Sequence, residues 1–269
     1  SRAYGGLQTF ADSGYILALD QLMPELMLFS EFARGGALSV TDGKMYGVPA
    51  VSQTMLCFYN AGVYRELGLS VPATWDEFLE NLEACQAAGY DALANGTKDG
   101  WCCESLLGGV GPSFYGGDGF YDRLIRGETT FMDPAFVEAV QKVQDLAPYM
   151  PDLFEGVDYA DMQASFIYEI GVHFIGGSYE AGYFSLQNPQ LEYGVFAIPG
   201  EKAEDPAYVS VYADMNFSVS AASRKQEAAL RFLKYLASPR FGQQMVDQLA
   251  MVSSVPGVDV SANPFIAQV

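Results

Sequence analysis

The sequence predicts an α/β protein, and three observations carry that prediction. Helical apolar stripes with clear start signals recur along the chain. Short apolar runs of strand length lie between them. Half of the 269 residues are hydrophobic and 14% are aromatic, enough for a substantial core in one large domain or two lobes.

In chain order, residues 46–51 and 55–59 read as strands. Thr74 and Glu77 form a capping box. Trp75, Phe78, Leu79, Leu82 and Cys85 then fall on one helical face, and Gly89 ends the helix. Residues 108–119 (GGVGPSFYGGDG) read as a mobile glycine-rich loop. Asp133 caps a helix with Pro134 at its first position and Phe136, Val140, Val143 and Leu146 as its stripe. A helix from Tyr159 to about Glu169 carries Met162 and Phe166. Residues 170–175 and 193–198 are strands, with a polar turn at 200–206. A long strand over 208–219 is interrupted by Ala213-Asp214-Met215-Asn216. Ser223 and Gln226 form a second capping box ahead of Ala229, Leu230, Leu233 and Leu236. Ser238-Pro239 opens a last helix with Phe241, Met245 and Leu249 on one face.

Charge excludes some functions. With 14 basic and 33 acidic residues the net charge is -19, which rules against nucleic acid and disfavours anionic membranes and strongly anionic ligands. Such a balance suits solubility in a salty extracellular medium. No apolar stretch reaches transmembrane length, and the opening SRAYGGLQTF is no basic-then-apolar leader. The cysteines, Cys57, Cys85, Cys102 and Cys103, make neither a dense disulfide framework nor a zinc pattern, and read as small thiols. No EF-hand spacing appears, and no metal or cofactor is expected.

Catalytic spacing is equally scarce. The single histidine, His173, lies in the apolar run IGVHFIGG and reads as a packed strand residue. There is no nucleophile elbow, no P-loop and no dinucleotide fingerprint. Asp214, Glu180, Asp99 and Glu104 could serve glycosidase chemistry, but spacing singles out no pair. Trp101, Phe114, Tyr115, Tyr179, Tyr183 and Tyr212 stand beside Gly, Ser, Asp or Asn outside the helical stripes. Such rings can stack on the C–H face of a neutral sugar while acids and amides bond its hydroxyls. They can equally pack over the ends of a sheet, and spacing alone favours that. The stretch FIGGSYEAG (174–182) ends an apolar run on two glycines, with Ser178 placed to cap a following helix.

Several motifs fall in an order that resembles the extracellular solute-binding proteins of sugar ABC importers, the group that includes maltose-binding protein. DGKMYGVP (42–49) is similar to that family's DGKIYGLP, and Leu56-Cys57-Phe58-Tyr59-Asn60, Tyr64 and Gly68-Leu69 to LYYNKDLFEEAGL. PATWDEF (72–78) resembles PPKTWDEF, and FMDP (131–134) the F-x-D-P helix entry. Phe174 to Tyr179 resembles GGSW, GVFAIPG (194–200) resembles GVFPLPG, and Glu227 to Pro239 resembles EAAWEFLKFLTSPE. Each is weak alone, but seven in order cover nearly the whole chain.

The resemblance implies a two-lobe periplasmic-binding-protein fold with an interlobe ligand cleft, closing around a sugar or oligosaccharide for delivery to ABC importer permease subunits. It implies a C-terminal lobe over 53–208, a partial N-terminal lobe from 1–50 plus 214–269, and hinge crossings near 50–54 and 208–215. Family members carry earlier strands and later helices, so the chain is expected to be incomplete at both ends, with an incomplete N-lobe. The implied ligand residues are Tyr179, at the position of the stacking tryptophan of GGSW, then Trp101, Gln53, Asp214 and Asn216, with Glu180 and Tyr212 completing the set. A monomeric, non-enzymatic receptor outside the membrane is implied, in the periplasm or as a Gram-positive cell-surface lipoprotein. The rival readings are a glycoside-active enzyme using cleft carboxylates and a receptor for a non-sugar solute such as a polyamine; a polyol phosphate is opposed by the few cations.

Overall fold

A computed structural model describes residues 5–261, 263, 265 and 266. Its strands are β1 (Val48–Pro49), β2 (Val51–Asn60), β3 (Asp91–Leu93), β4 (Gly171–Gly177), β5 (Tyr193–Phe196), β6 (Ser210–Ala213), β7 (Asn216–Phe217) and β8 (Val252–Ser253). The α-helices are α1 (Gly5–Asp12), α2 (Glu31–Gly35), α3 (Ala61–Leu67), α4 (Trp75–Ala87), α5 (Gly100–Val110), α6 (Pro112–Tyr115), α7 (Asp118–Ile125), α8 (Pro134–Asp145), α9 (Tyr159–Ile167), α10 (Glu180–Gln187), α11 (Gln226–Leu236) and α12 (Pro239–Leu249). The chain forms two compact units. One comprises the chain through Gln53 and again from Val211 onward; the other is Thr54–Ser210.

The 54–210 unit is built on strands in the order β3-β4-β2-β5. β3 runs parallel to β4, while β2 is antiparallel to both β4 and β5. Both faces of β2 are covered in this unit, which is why residues 55–59 form an unbroken apolar run rather than an alternating one. Cys57 joins Trp75, Phe78, Leu82 and Ile175 on one face. Phe58 points the other way, edge-on to Phe166, Phe174 and Phe184 with centroids 5.4–6.3 Å apart. His173 lies fully buried in β4. Its Nδ1 is 2.8 Å from the Ala92 carbonyl, which only accepts, so Nδ1 carries the proton and Nε2 accepts from the Tyr64 hydroxyl at 2.7 Å. Burial pushes its pKa down to about 4.

The other unit packs Leu19, Met23, Leu26, Met45, Val48 and Val219 against Leu233 and Leu236 of α11. The Asp20 carboxylate accepts from the Met45 amide at 3.1 and 3.2 Å. Here the first residues of β2, Val51 and Ser52, pair with β8.

Three helix starts follow the sequence signals. Thr74 accepts from the Glu77 amide, Asp133 from Ala135 and Ser238 from Phe241. Ser223 does not cap α11: its hydroxyl accepts from the Lys225 amide, and the helix begins one residue later, at Gln226. The expected loop over 108–119 is instead helical, carrying the end of α5, all of α6 and the start of α7. Packing overrides the poor helix propensity of glycine there. A Cβ on Gly109 would lie 2.6 Å from Ile175 Cγ2, and one on Gly111 2.7 Å from the Leu107 carbonyl oxygen. The bare Gly109 lets α5 lie close on β4, and the bare Gly111 lets the chain pass directly from α5 into α6. Two of the aromatics in this stretch pack inward: Phe114 meets Trp75 edge-on at 5.3 Å, and Tyr115 stacks on Phe136 at 5.8 Å.

Candidate ligand site

β4 delivers the candidate site at its end. Gly176 and Gly177 are buried and neither has positive φ, so space and not backbone conformation demands glycine. A Cβ on Gly177 would sit 2.0 Å from Cε1 of Tyr179; one on Gly176 would sit 2.4 Å from Cε1 of Phe174. The half-buried Tyr179 ring thus folds back over the bare backbone of Gly177. Ser178 does not cap α10, which starts without a side-chain cap. Its amide donates to the Thr54 carbonyl at 2.8 Å and its hydroxyl accepts from the Thr54 amide at 3.1 Å. The end of β4 is thereby clamped to β2.

Glu180, at the first position of α10, is 1% exposed. A buried carboxylate needs donors, and α9 supplies two: the Tyr159 hydroxyl at 2.5 Å and the Gln163 side-chain amide at 2.8 Å. Burial still dominates and pushes the Glu180 pKa up to about 7, against the pull of the two donors. Desolvation and the neighbouring Glu180 carboxylate raise the Tyr159 phenol far above its ordinary value. Burial likewise takes Cys102 up to about 11. The Tyr159 amide donates to Asp99 at 2.9 Å, and the Trp101 ring meets the Tyr159 ring edge-on at 4.6 Å. Trp101, Cys102, Tyr159, Met162, Tyr179 and Glu180 line one depression packed too tightly to admit a water molecule. It is a floor with aromatic rims, suited to stacking on a ligand rather than enclosing one.

Of the residues singled out in the sequence, Trp101, Tyr179 and Glu180 come together here. Gln53, Tyr212, Asp214 and Asn216 belong to the other unit. There, Gln53 is buried, and the Asp214 amide donates to the Val51 carbonyl at 3.0 Å. The Asn216 side-chain amide donates to the carbonyls of Gly36 and Asp214, so it braces backbone. Among the carboxylates, Glu104 is exposed, while Asp99 and Glu180 are engaged at opposite ends of Tyr159. The sequence reading missed Tyr159 and Gln163. Their partner Glu180 lies 21 and 17 residues away, beyond any local pattern. An acid in so apolar a context was the available signal, because it had to find donors somewhere.

Residues 1–243 match the family model described as bacterial extracellular solute-binding protein. The chain belongs to that family. Among curated proteins, this solute-binding chain is 25% identical to the multiple sugar-binding protein of Streptococcus mutans, over 96% of its own length and 67% of the relative's. It is 28% identical to the diacetylchitobiose binding protein DasA of Streptomyces coelicolor, over 88% of this chain and 56% of that one. It therefore spans between about half and two thirds of the curated relatives it matches.

Solved structures show the same two-lobe α/β fold. A chitin oligosaccharide binding protein superposes with a TM-score of 0.86 at 20% identity, covering 99% of this chain and 68% of that one. RafE in complex with raffinose gives 0.81 at 24% identity, covering 94% and 67%. Among the described residues, no helix of the solute-binding protein is long and apolar enough to cross a membrane. Nor does any described group of three or more His, Cys, Asp and Glu stand placed to hold a metal ion. Cys57, Cys85 and Cys102 are buried free thiols, and Cys103 is an exposed one.

Proposed function

We propose that this solute-binding protein captures a sugar or oligosaccharide outside the membrane and delivers it, unaltered and as a monomer, to an ABC importer. The observation that carries the reading is the pair of half-buried rings, Tyr179 and Trp101, held over a closed floor at the end of β4. Flat rings offer stacking faces to the C–H surface of a pyranose, and the Tyr179 hydroxyl adds a polar handle. Relatives and structural neighbours named for sugars, chitin oligosaccharides and raffinose support this ligand class.

In this reading Tyr179 and Trp101 touch the ligand. Gln53, Tyr212 and Asp214 are further candidate contacts, and Asn216 ranks below them because its amide is committed to backbone. The chain passages at Gln53–Thr54 and Ser210–Val211 serve as hinges between lobes. A lipidated cysteine would tether the protein to the cell surface. The enzyme alternative draws no support from Glu180, whose carboxylate is buried and held by two hydrogen bonds.

A thermal-shift panel tests the function, setting raffinose, galactose and chitin oligosaccharides against spermidine and putrescine. Ligand at a hundred times its Kd contributes about 2.7 kcal/mol, so a bound sugar should raise Tm by about 5 °C or more. Stabilisation by polyamines alone sinks the sugar reading, and cleavage of an oligosaccharide during incubation sinks the receptor reading.

A further inference from the structure

The candidate ligand set includes Glu180, yet its carboxylate is buried and bonded to two side chains of α9. It lies 1% exposed, with one oxygen on the Tyr159 hydroxyl and the other on the Gln163 amide. Tyr159 in turn is held at both ends, by Glu180 at its hydroxyl and by Asp99 at its amide, and its ring sets the edge contact with Trp101. We propose that Glu180 is a positioning residue for the ligand platform: its carboxylate fixes Tyr159, Tyr159 fixes the Trp101 ring, and protonating the carboxylate releases both. This rests on the reading of the aromatic pair as the sugar platform.

The chemistry follows from counting donors. An ionised carboxylate only accepts, and both of its partners donate, so the arrangement is complete. A protonated carboxyl brings a hydrogen of its own, and to place it on the Tyr159 oxygen the phenol must give up donating to Glu180. One contact must then break or turn, and with no room for water nothing replaces it. The ionisable groups around the carboxylate are Tyr159 from α9, Cys102 from α5 and Tyr179 at the strand end, with Asp99 beyond Tyr159. Burial holds Tyr159 and Cys102 neutral through the physiological range. Glu180, pushed up to about 7, changes charge within it. Sugar affinity should therefore rise with pH through neutrality. Loss of one such hydrogen bond corresponds to about five-fold in affinity between about pH 6 and about pH 8.

The chain has two tryptophans, so labelling with 5-fluorotryptophan gives two 19F resonances, assigned with W101F. The Trp101 resonance should shift with a single midpoint near neutrality while that of Trp75 stays fixed and reports the fold. In E180Q, and in Y159F, which keeps the ring and removes the hydroxyl, the Trp101 resonance should lose its pH dependence. A Trp101 resonance that does not move in the unmodified chain, or moves identically in both variants, overturns the proposal. Raffinose and chitin oligosaccharide affinities at the two pH values form the second arm, and equal affinities also overturn it. If the resonances behave as expected and no sugar binds at either pH, the sugar reading alone falls.

Discussion

The protein's two tryptophans both sit in the first turn of a helix, and their surroundings are opposite. Trp75 opens α4, is 1% exposed, and lies edge-on to Phe114 with the Lys142 ammonium 5.4 Å from its centroid. Trp101, in α5, is half-buried and meets Tyr159, whose hydroxyl is engaged by a buried acid. Burial among aromatic neighbours, with one ammonium over its face, makes the first ring a structural anchor. The other ring is only half-buried and packs on a tyrosine held by a polar network, which is why it is proposed as a ligand contact. The largest expected effect in the molecule tests this directly. Trp75→Ala should cost about 3–5 kcal/mol, as large-to-small core changes do. Trp101→Ala should cost less than about 1 kcal/mol, within the range of partly exposed positions, while weakening sugar binding about ten-fold. Urea unfolding and calorimetric titration of each variant give the two numbers. Equal stability losses would dissolve the distinction.

The same contrast separates what the sequence announced from what it concealed. Thr74 announced Trp75 through a local capping box, and Trp75 with Phe78 and Leu82 followed at helical spacing. The bare backbone under Tyr179 was legible as Gly176-Gly177, although the ring lying on Gly177 was not. Nothing local announced α5. Its glycines read as breakers, and only the approaches of Gly108 to Met55 and Gly109 to Ile175 show why that pair is there. β3 was equally silent, since three residues joined in parallel to β4 carry no periodicity. Elements fixed by neighbours in sequence were readable. Those fixed by neighbours in space were not, and the proposed ligand platform belongs mostly to the second kind.

Two buried ionisable groups sharpen the contrast between core and platform, because they bias stability in opposite directions. His173 has a folded pKa of about 4 against an ordinary 6.5. Between these values the unfolded chain holds the extra proton, so its contribution is lost as pH falls from 6.5 toward 4. Glu180 is raised from 4.5 to about 7. There the folded chain holds the extra proton, so its contribution is present below pH 4.5 and lost as pH climbs through 7. Removing the acid should expose the difference. Relative to the unmodified chain, E180Q should gain stability as pH rises across that window, by at most about 1.4 kcal/mol per pH unit. Urea unfolding at about pH 5 and about pH 8 measures the change, and a pH-independent difference would remove Glu180 from the balance. A variant that gains stability at neutral pH while losing affinity would mark the platform as a place where burial is tolerated for function.

The smallest expected effects compare the two hydroxyls that precede these regions. Thr74 accepts from the Glu77 amide and fixes the start of the helix that carries Trp75. Ser178 accepts from the Thr54 amide and fixes the strand end that carries Tyr179. Either loss to alanine should cost about 1 kcal/mol, the usual worth of a cap or a buried hydrogen bond. Their consequences should differ. Thr74→Ala acts on a ring locked by packing on all sides, so sugar affinity should be unchanged. Ser178→Ala leaves the buried Thr54 amide without its acceptor and lets the end of β4 drift under Tyr179, so affinity should fall about two- to three-fold with the stability loss. Titrating one sugar into both variants decides it. Matched affinities would mean that the platform is held by the Glu180 network alone and that the Ser178 clamp serves only the fold.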